Sequence, residues 1–175
     1  RLLRIFSFDS KKFIGQMMKL FESFYADKKS FKERKFIDNV AEVLTIKPDE
    51  NNFISLSKVA ANYEQLAAER KIFLEKYSPL LENFLVNELF MNCYPWRYEA
   101  TMIKNYGVFI TNYKIFELIL FSTTQKGFDS KEDLLSLVNF ISGQNDHTQI
   151  FSNKILAQLK GTSDIFPLME SLLEC

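Results

Sequence analysis

The sequence predicts an all-α protein, a compact bundle of about seven to eight helices packed around one long apolar helix near 100–124. Three observations carry this. Apolar side chains recur three and four residues apart along nearly all of the 175 residues, the spacing that puts them on one face of a helix. No run alternates with the period of two that a half-buried strand needs. With 47% hydrophobic and 15% aromatic residues, 18 of them Phe, the chain can bury a sizeable core without disulfides.

The first helix is expected over residues 10 to 26, where Phe13, Met17, Phe21 and Phe24 recur at helical intervals beside Ile14, Met18 and Tyr25. Ser30 and Glu33 match a capping box, and Phe36, Ile37, Val40, Val43 and Leu44 continue a second helix that Pro48 is expected to end. Lys28, Lys29, Lys32, Arg34 and Lys35 near its start read as a solvated face without function. PDENN, residues 48 to 52, is a loop, and Ser55 or Ser57 caps the third helix. Its seam runs Leu56, Val59, Tyr63, Leu66, Arg70, Phe73 and Tyr77, broken once by Arg70; it suits a dimer contact, or, better in so apolar a chain, an antiparallel contact within it. Ser78 and Pro79 are expected to stop this helix and start the next, because the residue before proline avoids helical geometry.

The stretch from Leu80 to Phe121 organises the remainder. It is densely apolar, yet carries Glu82, Asn83, Asn87, Glu88, Asn105 and Asn112, and buried polar groups need partners. Its first helix runs to Cys93, and Pro95 breaks it before Trp96. Asn83 and Asn87 lie four apart on one face, as a hydrogen-bonded network between helices or as an edge facing a ligand. The long helix from about Ala100 to Thr124 is apolar almost all round, which predicts a central position. Gly127 ends it, and Ser130 with Asp133 caps a helix through Leu134, Leu137, Val138 and Ile141 that Gly143 terminates. QNDH, residues 144 to 147, leads into a helix carrying Ile150, Phe151, Ile155 and Leu159, closed by Gly161. Ser163 or Asp164 caps a last short one. The halves divide as 1–76, an N-terminal segment of three helices, and 77–175, within one continuous globular unit.

Several classes are excluded or disfavoured. Basic and acidic residues balance at 22 each, which offers no case for nucleic acid or an anionic membrane. The balance is uneven along the chain: residues 1–79 hold 15 basic and 11 acidic side chains, residues 80–175 hold 7 and 11, a pattern read as solvated faces. Cys93, Cys175 and His147 cannot assemble a zinc or iron-sulfur site, and a reducing cytoplasm suits so few thiols. Met102 to Thr124 is interrupted by Lys104, Asn105, Asn112, Lys114 and Glu117, too many polar groups for an ordinary bilayer helix. A start at Arg1 is expected of a fragment of a longer chain.

LLENFLVNELFMNCYPW, the aromatic helix YGVFITNYKIFELIL and LVNFISGQNDH together resemble the C-terminal region of the flagellin lysine-N-methylase family. The likeness covers about residues 77 to 160, on Glu82, Asn83, Phe84, Leu85, Pro95, Trp96 and His147. It implies methyl transfer from S-adenosylmethionine to lysine side chains of flagellin, in the cytoplasm before export. Members also carry a cysteine-rich N-terminal segment suited to a metal or iron-sulfur cluster. That segment is missing from this sequence, so any such group belongs elsewhere in the parent chain.

Methylation of lysine needs a neutral amine, whereas free lysine has a pKa of about 10.4. Aromatic faces and carboxylate or carbonyl oxygens suit both the ammonium and a sulfonium. Tyr94, Trp96, Tyr98, Tyr106 and Tyr113 are candidates for an aromatic wall, although tyrosines on a helix apolar all round are more often core residues with a satisfied hydroxyl. Glu82, Asn83, Asn87 and Trp96 are the expected cofactor contacts. His147, with a pKa near neutrality, and Tyr106 are the expected catalytic groups. No Gly-rich nucleotide-binding turn is present, so a helical pocket of different design is implied. The alternative is a non-enzymatic helical module that docks a partner. Neither reading specifies an oligomeric state.

Overall fold

A computed structural model describes residues 10–25, 31–47, 50, 54–91, 96, 101–146, 153 and 155–157, with 20–25, 31–34 and 142–146 described by backbone alone. Six helices follow in order: α1 Ser10–Tyr25, α2 Phe31–Val43, α3 Leu56–Gln65, α4 Ala67–Met91, α5 Met102–Gln125 and α6 Lys131–Asp146. Helical backbone recurs at 153 and 155–157, and no strand occurs among the described residues. The all-α class stands. The last expected helix, after Ser163 or Asp164, lies outside the described residues, as do Ser30, Pro48 and His147.

α5 is the centre, as its all-round apolar pattern predicts. Every side from Gly107 to Thr123 is buried, and α2, α4 and α6 pack against it. Complete burial of each large apolar side chain contributes about 1.5–3 kcal/mol, so Phe116, Leu120 and Phe121, each no more than 1% exposed, anchor the bundle. α4 packs on α5 through aromatic rings: Phe73 meets Phe121 edge-on at 5.3 Å and Phe84 stacks on Phe116 at 4.0 Å. α1 presents Phe13, Ile14, Met17 and Met18 to the core. It packs on α3 through Phe13 and Tyr63, whose ring centres are 5.3 Å apart, and through Ser10 Oγ, which donates to the Glu64 carboxylate. Asn62 Nδ2 donates to the Leu44 carbonyl at 3.0 Å, tying α3 to the end of α2. Phe36 of α2 stacks on Phe140 of α6 at 5.3 Å.

Three element boundaries differ from expectation. α4 passes straight through Ser78 and Pro79, and the interruption falls instead at Leu66, which leaves the helical region (φ −84°, ψ 10°) as the C-cap of α3. Proline's missing N–H costs one helical hydrogen bond, but Pro79 is exposed, and the buried Tyr77, Leu81 and Phe84 around it hold the helix against α5. The 76/77 division therefore falls inside α4. α2 stops at Val43, ahead of Pro48, because Thr45 turns left-handed (φ 54°). α6 continues through Gly143 to Asp146; glycine inside a helix costs about 1 kcal/mol, and this helix bears it.

The caps follow local chemistry more closely. Ser130 Oγ accepts from the Asp133 N–H at 3.1 Å and donates to the Asp133 carboxylate at 2.6 Å. Thr101 Oγ1 accepts from the Lys104 N–H at 3.4 Å, opening α5. Ser55 is the N-cap of α3 by backbone geometry, with no side-chain capping bond.

Candidate functional site

One stripe of α4 (Leu74, Ser78, Leu81, Glu82 and Leu85, with Glu75 at its edge) lies beside Tyr113 of α5, and together they line a cavity of about 360 Å³. The spacing of four, three, one and three keeps these side chains on one helical face. The stripe is continuous only because α4 does not break at Pro79. That size falls at the lower end of ligand pockets, about 300–1,000 Å³.

The lining has a simple chemical division. Leu74, Leu81, Leu85 and the buried Tyr113 ring supply an apolar floor, while Glu75 and Glu82, both exposed, supply two carboxylates. Ser78 Oγ donates to Glu82 Oε1 at 2.6 Å, which fixes one carboxylate oxygen against the helix. No Lys, Arg or His lines the cavity. The arrangement favours a cation on an aliphatic stem.

The residues singled out from sequence do not all meet here. Glu82 and Tyr113 line the cavity. Asn83 and Asn87 do not; both are exposed on α4. Trp96 is 78% exposed and Tyr106, near the start of α5, 43%. His147, Tyr94 and Tyr98 lie outside the described residues. Glu88 of α4 is buried, and on α5 Asn105, Asn112, Lys114 and Glu117 are each no more than 4% exposed.

Glu75, Ser78 and the three leucines escaped the sequence reading because an expected break at Pro79 split their stripe in two. The signal that recovers them is the unbroken recurrence from Leu74 to Leu85.

The lining offers no side-chain cation for the carboxylate of S-adenosylmethionine, whereas Glu75 and Glu82 suit a cationic group. Of the four expected cofactor contacts, Glu82 lines this cavity, and Asn83, Asn87 and Trp96 are exposed outside its lining. No group of three metal-ligating side chains occurs among the described residues, and no described helix is long and apolar enough to cross a membrane.

A family model described as the FliB lysine N-methylase C-terminal domain matches residues 7–173. No curated protein and no solved structure matches the chain.

Proposed function

The chain belongs to the family of FliB lysine N-methylase C-terminal domains, and from that premise we propose that it is the helical, substrate-recognising part of a flagellin lysine methylase. The observation that carries the reading is the family match over nearly the whole chain, residues 7–173. The reading takes S-adenosylmethionine as methyl donor, flagellin as protein substrate and the cytoplasm as the place of reaction.

Within it the α4–α5 cavity faces the substrate, because its acidic and apolar lining suits a lysine better than a nucleoside. Asn83, Asn87, Trp96 and Tyr106, exposed towards the C-terminal end of α4 and the start of α5, are offered to the part of the enzyme that holds the donor. His147 and Tyr106 are the groups this reading assigns to handling the lysine proton.

The test is methylation of purified flagellin by the methylase containing this chain, with isotopically labelled S-adenosylmethionine and mass-spectrometric mapping of the lysines. Label on flagellin lysines that is lost when residues 7–173 are deleted supports the reading. Flagellin left unlabelled by the intact enzyme, or labelled equally well after the deletion, removes it.

A further inference from the structure

We propose that the α4–α5 cavity is a recognition subsite for a substrate lysine other than the one being methylated. The hydrocarbon stem lies against the leucines of α4 and the ring of Tyr113, and the ammonium sits at the rim with the Glu75 and Glu82 carboxylates. This rests on the lysine-methylase reading and adds to it a division of labour between two lysines.

Physical chemistry separates the two. Methyl transfer requires the neutral amine, so a transfer site must lower the pKa of its lysine by desolvation or a neighbouring cation. The cavity does the reverse. Two carboxylates on an exposed rim stabilise the ammonium and raise its pKa, which holds a bound lysine in the form that cannot accept a methyl group. The apolar floor then selects for a long hydrocarbon stem, since lysine and arginine bury their stems while keeping the charged head among polar groups.

Ser78 Oγ, in the same lining, donates to Glu82 Oε1 at 2.6 Å. This holds that carboxylate against the helix with its second oxygen left to accept from an ammonium, a group with three N–H donors to satisfy.

The test uses the 175-residue chain with leucine methyl NMR, titrated with an acetylated, amidated lysine pentapeptide and with the same peptide carrying norleucine, which keeps the stem and removes the charge. Saturable shifts of the Leu74, Leu81 and Leu85 methyls are expected with lysine. Glu75→Gln with Glu82→Gln, both at exposed positions, should weaken binding about fivefold.

Equal affinity for the norleucine peptide, absence of saturable shifts at these leucines, or a double Gln variant that binds as well as the parent overturns the subsite. In the methylase itself the double Gln variant should raise KM for flagellin with kcat unchanged; a fall in kcat at constant KM refutes the assignment. A methylase that leaves flagellin unmodified removes the reading of the previous subsection, whereas the peptide titration judges the cavity by itself.

Discussion

Lys114 and Glu117, one turn apart on α5, form an ion pair of 2.6 Å with 1% and 5% of their side chains exposed. Arg70 of α4 reaches the same carboxylate from 3.4 Å, its guanidinium 4.0 Å above the Tyr63 ring. Two cations therefore share one buried carboxylate at the junction of α3, α4 and α5. Removing one partner of a buried pair costs about 3–5 kcal/mol, because the remaining charge stays desolvated. Glu117→Gln is expected to lose stability of that order in urea denaturation. Lys114→Met should cost less, since Arg70 still neutralises Glu117. Equal losses for the two variants would show that the shared carboxylate is not the centre of the cluster.

α2 and α5 end in the same hydrogen-bond pattern with different residues at the critical position. After α5 the Gly127 N–H donates to the Thr124 carbonyl at 2.9 Å and the Phe128 N–H to Thr123 at 3.2 Å. After α2 the Thr45 N–H donates to Glu42 at 3.1 Å and the Ile46 N–H to Ala41 at 2.6 Å. Both are Schellman ends. Gly127, at φ 77°, adopts the left-handed conformation without penalty, whereas Thr45, at φ 54°, is β-branched and pays about 1 kcal/mol or more. Thr45→Gly should raise the thermal midpoint and Gly127→Ala lower it, each by roughly 1 kcal/mol of stability. Shifts in the same direction for both would contradict this account.

Pro79 occupies an exposed position in the interior of α4. Alanine there restores a helical hydrogen bond and improves propensity, partly offset by a freer unfolded chain. The net expected gain is about 1–2 kcal/mol. Calorimetry on Pro79→Ala decides it, and an unchanged or lower midpoint would mean that the helix relies on the proline.

Lys76 sits 3.3 Å from Asp129, across from the loop that follows α5. Hydrogen bonding to Tyr77, then to Asp129, with attraction from both groups, raises its pKa above the ordinary 10.5. A raised folded-state pKa contributes stability fully present below the unfolded value and lost as pH rises through the folded one. Asp129→Asn should therefore be less stable than the parent at neutral pH, with the gap closing in strong alkali. NMR titration of the Lys76 side chain should place its pKa lower in the variant. A stability gap that persists above the titration of Lys76 rules out this linkage.

Phe84 and Phe116 stack at 4.0 Å in the contact between α4 and α5, and Phe116 is fully buried. Phe116→Ala is expected to cost about 3–5 kcal/mol. Phe84→Ala should cost less, because Phe84 keeps 6% exposure at the edge of the interface. Urea denaturation that reverses this order would place the core elsewhere.

The cavity was half legible in the sequence. Glu82 and Tyr113 are conspicuous as a carboxylate and an aromatic ring inside apolar runs, but Asn83 and Asn87 looked as good, since both sit in the same helix. One residue along an α-helix turns a side chain by about 100°, so adjacent positions face different surroundings. Only the side on which α5 packs decides which of them meets a hollow.

What the sequence by itself determined is what depends on neighbours along the chain. The all-helical class, the Ser130–Asp133 cap, the left-handed Gly127 and the central place of α5 each rest on local hydrogen bonding or on apolar residues covering every side of a helix. Tertiary structure alone decided that α4 continues through Pro79 while the chain is interrupted at Leu66, and that Lys114 and Glu117 form a buried pair. In the first case contacts between residues distant in the chain outweigh a local preference of only a few kcal/mol; in the second they bury a pair whose spacing is itself local, and no local pattern reveals which distant contacts will be there.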